Sequence, residues 1–269
     1  MGLVGWQRRR RDALRKRPSD HQLGARTESE YATDPGPRST NEDRAAVSAF
    51  WAVISDGAGG HAGGSVAAET AVQAVVSRLG RSPGDVEEGL VLDALAAANS
   101  AVRARRQTDD RLADMAATLS IAACTSSQPG ASCWVVTNLG DSPVWHWSCD
   151  GLARLSEEHN LAAELVRSGV LPAEGSRGHP GRHTITRALG IANDVVPHVT
   201  HAVLRPGDML VLASDGLEAL AEQEIWAVVA GHEGALGTAG LLVRAALSVG
   251  ATDNVTVAVL RHRVPVACG

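Results

Sequence analysis

Acidic residues stand beside turn-forming residues in five separate short segments of this sequence, each next to an apolar run. The segments are NED with Glu42 and Asp43, SDG with Asp56, NLGDS with Asp141, a second SDG with Asp215, and TDN with Asp253. Any one of them is typical of an ordinary turn, because Asp, Asn and Gly favour turn conformations. Five together indicate a carboxylate cluster. Oxygen ligands without neighbouring His or Cys pairs suit Mg²⁺ or Mn²⁺ better than zinc.

Two of these acidic segments directly follow apolar runs that predict buried strands. Phe50–Ile54 and Met209–Ala213 each lead into Ser-Asp-Gly, and short continuous apolar runs are typical of strands buried on both faces. An unpaired carboxylate at a buried strand end is costly, so the charges of Asp56 and Asp215 need compensation. A hard cation would supply it, and the glycines would let small ligands approach the backbone closely.

The elements that must position these strand ends are predicted in blocks. Apolar spacing predicts helices over Gly64–Leu79, Val91–Arg106, Leu217–Ala230 and Ala239–Val249, with a last strand over Val255–His262. Strand groups alternate with helix pairs and do not form strict βαβ units, which favours an α+β fold with antiparallel sheets. The Gly-, Pro-, His- and Arg-rich stretch Leu171–His183 is predicted to be a mobile flap.

Charge is distributed unevenly along the 269 residues. Met1–Arg17 holds seven Lys or Arg and one acid, about +6, so the remainder carries about −11 to give the formal net charge of −5. An acidic body argues against a nucleic-acid partner, because phosphate binding needs a basic face. We interpret residues 1–24 as a basic, flexible extension, residues 25–263 as one domain and residues 264–269 as a tail. Contact of the extension with acidic lipid or a partner is the alternative.

Cysteine usage and hydropathy indicate the compartment. The four cysteines form no CxxC pair, and the sequence has neither a secretory hydrophobic segment nor an apolar run near the roughly 20 residues of a membrane helix. We therefore expect a monomeric cytoplasmic protein without structural disulfides, zinc or a transmembrane segment.

The order of the motifs resembles one family, the metal-dependent protein serine/threonine phosphatases (PPM, or type 2C), in their bacterial form. The matching segments are RSTNED (38–43), SDGAGGHAGG (55–64), ATLSIA (117–122), NLGDS (138–142), EEHN (157–160), ITRALG (185–190), LASDGL (212–217) and ATDNVTV (251–257). The similarity spans about Ala25 to His262. It implies an α-β-β-α sandwich of two antiparallel sheets flanked by helix pairs, with the metals in a cleft at one end of the sheets.

The resemblance also implies a set of site residues. Asp56 would bridge two Mn²⁺ or Mg²⁺ ions. Asp215 and Asp253 would complete the first ion, and the Gly57 carbonyl with Glu42 would hold the second. A third ion would lie between Asp141 and Asp215, while Asp43 and Asn254 would support the ligands from behind.

The implied reaction is hydrolysis of phosphoserine and phosphothreonine in proteins, opposing a Ser/Thr kinase. Two divalent ions lower the pKa of a bridging water, so that hydroxide can attack phosphorus. Asp56 and Asp215 would be catalytic through these ions, and Arg38 would hold the phosphate oxygens with its planar guanidinium. The alternative for Arg38 is an ordinary surface salt bridge.

This sequence departs from the family pattern at a few positions. Ala58 stands where eukaryotic members often have a His proposed as the acid for the leaving alcohol, so the proton donor is unassigned; His61 and His159 are expected to be structural. The Gly-Thr-Thr strand opening of the family becomes Ala-Ala-Thr, which keeps Thr118. Two other functions stay open at this point: a catalytically silent phosphoprotein-binding scaffold, and a small-molecule phosphohydrolase.

Overall fold

Two antiparallel five-stranded sheets lie face to face at the centre of the molecule. The computed structural model describes residues 27–59, 63–80, 82, 84–128, 130–176, 178–232 and 235–262. Its strands are β1 (Thr27–Asp34), β2 (Arg44–Val47), β3 (Trp51–Ser55), β4 (Gly57–Ala58), β5 (Ala116–Ala117), β6 (Leu119–Gln128), β7 (Ala131–Leu139), β8 (Val144–Ser148), β9 (Gly151–Arg154), β10 (His198–Leu204), β11 (Met209–Ala213) and β12 (Val255–His262). The first sheet has the order β1-β12-β11-β8-β9 and the second β10-β7-β6-β3-β2.

Helices cover the outer faces of both sheets. Those in the described part of the chain are α1 (Gly63–Leu79), α2 (Glu88–Arg106), α3 (Leu161–Arg167), α4 (Glu222–Ala230) and α5 (Thr238–Ser248). The α1–α2 pair packs on the second sheet, and the α4–α5 pair packs on the first. The resulting α-β-β-α order is the predicted one. None of the helices in the described residues is both long and apolar enough to cross a membrane.

The apolar runs of the central strands are explained by burial on both faces. Along β3, Val53 packs toward the α1–α2 layer, whereas its neighbour Ile54 packs between the sheets, and both are fully buried. Val211 and Leu210 of β11 divide in the same way between the α4–α5 layer and the space between the sheets. Side chains alternate across a strand, so a strand with cover on both faces has to be apolar throughout.

The predicted elements agree with the structure except around α4. The helix expected over Leu217–Ala230 divides into a 3₁₀ turn at Asp215–Ala219 and a helix that starts only at Glu222. Ala221 is extended between them, and its N–H donates to the Glu224 carboxylate at 2.7 Å. This side-chain acceptor satisfies a donor that the helix end leaves free, so the helix begins here.

Three of the predictions fall on residues outside those described, and a fourth concerns the mobility of the flap. The basic extension (1–24), the tail (264–269) and His61 lie outside the described residues, so the domain limits stay predictions. The flap at Leu171–His183 contains two short 3₁₀ turns, Ala173–Gly175 and Pro180–His183; its mobility stays a prediction too.

Candidate active site

Loops from both sheets bring the predicted site residues to one edge of the sandwich. Asp56 follows β3, Asp141 follows β7, Asp215 follows β11 and Asp253 precedes β12. Adjacent strands in each sheet are antiparallel, so the end of one and the start of the next share an edge. The structure places there the nine residues predicted for the site: Arg38, Glu42, Asp43, Asp56, Gly57, Asp141, Asp215, Asp253 and Asn254.

Asp56 is held by hydrogen bonds of its main chain. Its N–H donates to the Thr118 hydroxyl at 2.9 Å, and its carbonyl accepts from the Thr118 N–H at 2.8 Å. The preceding Ser55 donates its hydroxyl to the Thr118 carbonyl at 2.7 Å. The main-chain position of Asp56 is therefore set by the start of β6, which leaves its carboxylate free to face the other acids.

Asp141 depends on the loop around it. Gly140 has a φ of 104°, in the region that favours glycine, and exchanges two hydrogen bonds with His159. The Gly140 N–H donates to His159 Nδ1 at 3.1 Å, and the His159 N–H donates to the Gly140 carbonyl at 3.1 Å. Burial, with nearby Arg187, lowers the pKa of His159 to about 4. A neutral imidazole is required here, because Nδ1 has to accept.

A cradle of oxygens lies between Glu42, Gly57 and the start of α1. A Cβ built on Gly64 would lie 2.7 Å from Glu42 Oε2 and 2.7 Å from the Gly57 carbonyl oxygen. Both oxygens therefore crowd the same bare Cα from different segments. These are the two groups expected to hold the second ion, and only glycine leaves room between them.

Asn254 and Ser214 hold the loop of Glu42 and Asp43 in place through hydrogen bonds. Asn254 Oδ1 accepts from the Glu42 N–H at 2.8 Å, while its Nδ2 donates to the carbonyls of Pro35 and Thr40 at 2.9 Å each. Ser214 donates its hydroxyl to Asp43 Oδ2 at 2.7 Å. The loop that carries Glu42 and Asp43 is thus fastened to β11 and β12.

Arg38 lies at the rim in a salt bridge. Its Nη2 contacts Asp253 Oδ2 at 2.8 Å, its Nε donates to the Thr252 carbonyl at 3.2 Å, and 58% of its side chain is exposed. The other oxygen of Asp253 accepts from the Asn254 N–H at 2.8 Å. Arg38 therefore forms a salt bridge with Asp253, a predicted metal ligand. A surface salt bridge is the alternative that the sequence left open for Arg38.

Burial and mutual repulsion raise the pKa values of the clustered acids. For Asp56 the pKa rises well above its usual range because of burial first, then the charges of Asp43, Asp215, Asp141 and Asp253. Burial, followed by Asp215, raises the pKa of Asp141 to about 7. Burial, followed by Asp253, raises that of Asp215 to about 6. Desolvation and like charge both disfavour the ionised forms, so cations bound here would relieve a real cost.

These residues fit divalent cations, because their donor atoms are oxygens and one buried carboxylate oxygen among them lacks a hydrogen-bond partner. Asp141 Oδ1 is buried and has no hydrogen-bond partner among the described residues. Within those residues, however, no three Asp, Glu, His or Cys side chains alone form a group that could hold an ion. The Gly57 carbonyl and water would have to complete the ligand set, as is usual for Mg²⁺.

The similarity to known proteins agrees with this geometry. Residues 39–247 match the family model of protein phosphatase 2C. The chain belongs to this family. It is therefore a protein phosphatase, an enzyme, and the predicted family and enzyme class are confirmed.

Individual relatives extend the comparison to the fold and the metals. The chain is 28% identical to the serine/threonine phosphatase stp of Listeria innocua, over 88% of this chain and 96% of the relative. The structure of the Mycobacterium tuberculosis phosphatase PstP/Ppp superposes with a TM-score of 0.80 at 28% identity, over 88% of this chain and 99% of the other. A structure of the PstP catalytic domain with two manganese ions gives 0.76 at 27% identity, over 87% and 97%.

These comparisons confirm the α-β-β-α fold, and the PstP structure holds two manganese ions, the kind and number of ion expected here from the sequence. Sequence reasoning gave no role to Gly64, Ser142 or Glu218. Glu218 lies in the same 3₁₀ turn as Asp215, with its side chain 12% exposed, and pairs with Arg154 at 2.9 Å and with Arg182 of the flap. The sequence signal that could have identified Glu218 is its position three residues after Asp215.

Proposed function

We propose that this phosphatase hydrolyses phosphoserine and phosphothreonine in proteins, with the carboxylate cluster as its metal centre. The observation that carries the proposal is the convergence of Asp56, Asp141, Asp215 and Asp253 at one sheet edge, where the charges of the other three add to burial in raising the cost of ionising Asp56. The Ser/Thr specificity follows the relatives, which are serine/threonine phosphatases.

The residues divide between the ions as follows. Asp56, Asp215 and Asp253 would hold the first ion, and Asp56 with Glu42 and the Gly57 carbonyl the second. Asp141 would serve a third ion together with Asp215. When bound, the ions supply a water of lowered pKa as the nucleophile and offset charge on the phosphate.

The chain's own contribution is to fix and shield these groups. Asp43 accepts a hydrogen bond from Ser214. Asn254 accepts from the Glu42 N–H and donates to the carbonyls of Pro35 and Thr40, so the Glu42 loop is held in place. Arg38, more than half exposed at the rim beside Asp253, is placed to bind phosphate oxygens with a planar, permanently charged fork.

The cellular setting is proposed from the same family relationship. The substrates would be proteins phosphorylated by a Ser/Thr kinase, and the enzyme would act as a monomer in the cytoplasm. A silent phosphoprotein-binding scaffold is not favoured, since every predicted carboxylate ligand is retained. A small-molecule phosphohydrolase is the alternative that an assay has to separate.

The experiment is hydrolysis by metal-stripped protein to which Mn²⁺ is added back. A phosphothreonine peptide, the matching phosphotyrosine peptide and free phosphoserine are compared at equal concentration. Phosphate release from the phosphothreonine peptide that requires Mn²⁺ is the expected result. Faster phosphate release from free phosphoserine would favour a small-molecule phosphohydrolase. Folded protein that releases phosphate from none of the three substrates would favour the scaffold.

A further inference from the structure

Thr118 lies between the two loops that carry Asp56 and Asp141. It is fully buried just before β6, with Asp56 on one side and the β7–β8 loop on the other. Both groups of its side chain, the hydroxyl and the methyl, contact these loops.

The hydroxyl joins the loops through hydrogen bonds. Thr118 Oγ1 accepts from the Asp56 N–H at 2.9 Å and lies 2.6 Å from Ser142 Oγ, the hydroxyl next in sequence to Asp141. The Ser142 carbonyl in turn accepts from the Ser120 hydroxyl at 2.7 Å. One buried oxygen therefore bonds to the main chain of Asp56 and to the neighbour of Asp141.

The methyl group packs against the loop that carries Asp141. A Cβ added to Gly140 would lie 2.6 Å from Thr118 Cγ2, so the Gly140 backbone packs directly on this methyl. Asp141 Oδ1 itself has no hydrogen-bond partner in the described residues. Because nothing there fixes this oxygen through its own contacts, its place depends on the backbone of Gly140 and Ser142, and hence on Thr118.

We propose that Thr118 is a positioning residue that sets the separation of Asp56 and Asp141 and so couples Asp141 to the metal centre. The inference rests on the proposed function, since it assumes that these carboxylates hold cations. It adds that Asp141 contributes to cation binding only while the Thr118–Ser142 hydroxyl contact is intact. Partners behind metal ligands commonly change metal affinity about 10- to 100-fold when removed.

The test uses Thr118→Val, which keeps the shape and removes the hydroxyl, and Thr118→Ser, which keeps the hydroxyl. Mn²⁺ binding to metal-stripped full-length protein is measured by calorimetry, with each variant made alone and combined with Asp141→Asn. We expect Thr118→Val to weaken the total binding about tenfold or more. The loss should be much smaller in the Asp141→Asn background, and Thr118→Ser should bind within about threefold of the parent.

Equal losses from Thr118→Val with and without Asp141 would overturn the proposal, since the residue would then act on Asp56 or on the fold alone. Parent-like binding by Thr118→Val would overturn it as well. Ser142→Ala, which removes the other hydroxyl of the contact, gives the same comparison if Thr118→Val does not fold. The proposed function fails in a different way: the parent protein would bind Mn²⁺ but release no phosphate from the phosphothreonine peptide.

Discussion

The substitution Gly64→Ala adds one methyl group between two groups expected to hold the second ion. The new Cβ would lie 2.7 Å from Glu42 Oε2, 2.7 Å from the Gly57 carbonyl oxygen and 2.8 Å from the Gly57 carbonyl carbon. The Glu42 side chain can rotate away, whereas the Gly57 carbonyl belongs to the β4 backbone and cannot. Either response moves an oxygen from its place in the cradle.

Two opposing terms decide the effect of this change on stability. Ala favours a helix over Gly by up to about 1 kcal/mol, whereas forcing a methyl into a filled site costs about 1–3 kcal/mol. The net loss should be roughly 0–3 kcal/mol, small enough for the protein to fold. Metal binding should suffer far more, by about 10- to 100-fold in Mn²⁺ affinity.

Gly89→Ala is the matched control, because Gly89 is the second residue of α2 as Gly64 is of α1. A Cβ on Gly89 meets nothing within 4 Å, so this change should be neutral or slightly stabilising. The assays are chemical denaturation of the metal-free proteins and Mn²⁺ titration of phosphothreonine-peptide hydrolysis. If Gly64→Ala needed no more Mn²⁺ than Gly89→Ala, the cradle would not be a metal site.

Three further changes test other residues of the predicted site. Asp215→Asn removes a charge at nearly constant volume and should abolish Mn²⁺-dependent hydrolysis while circular dichroism stays unchanged; activity near that of the parent would remove Asp215 from the site. Arg38→Ala should raise KM for the phosphopeptide with a smaller change in kcat and leave Mn²⁺ binding no weaker, because Arg38 now occupies Asp253; an unchanged KM would exclude the phosphate role. Asp141→Asn should raise Tm of the metal-free protein at pH 8 but not near pH 4. The folded pKa of about 7 exceeds the usual 3.8, so the parent loses stability as pH rises between these values; equal shifts at both pH values would contradict this.

Elements with a strong pattern could be predicted from the sequence alone. Met209–Ala213 is a strand at the predicted limits, because five consecutive apolar residues ending in Ser-Asp-Gly leave few alternatives. The edge strand His198–Leu204 was not predicted. It has one sheet neighbour, β7, and exposes His201 and Val203, so its sequence carries polar residues that mask the strand pattern.

Contacts between distant segments could not be predicted. The Thr118–Ser142 contact needs the register that pairs Leu119 with Leu139 across β6 and β7, and a slip of one residue would turn each side chain to the other face. The salt bridge between Arg38 and Asp253 joins residues 215 apart in the chain. The order of the motifs predicted which residues form the site. The hydrogen-bond and salt-bridge partners of those residues depend on strand register and on how the loops close.

The raised carboxylate pKa values and the rigid loops together explain why cations are needed at this edge. Asp56 could lower its repulsion with Asp43 and Asp215 by moving outward, but its main chain is bonded to Thr118 in both directions. Asp43 is likewise held by Ser214. The fold therefore keeps buried and partly buried acids close together at a cost in stability, and binding energy from cations offsets that cost. Stability that rises with added Mn²⁺ and exceeds the rise in Asp215→Asn is the direct consequence of this arrangement.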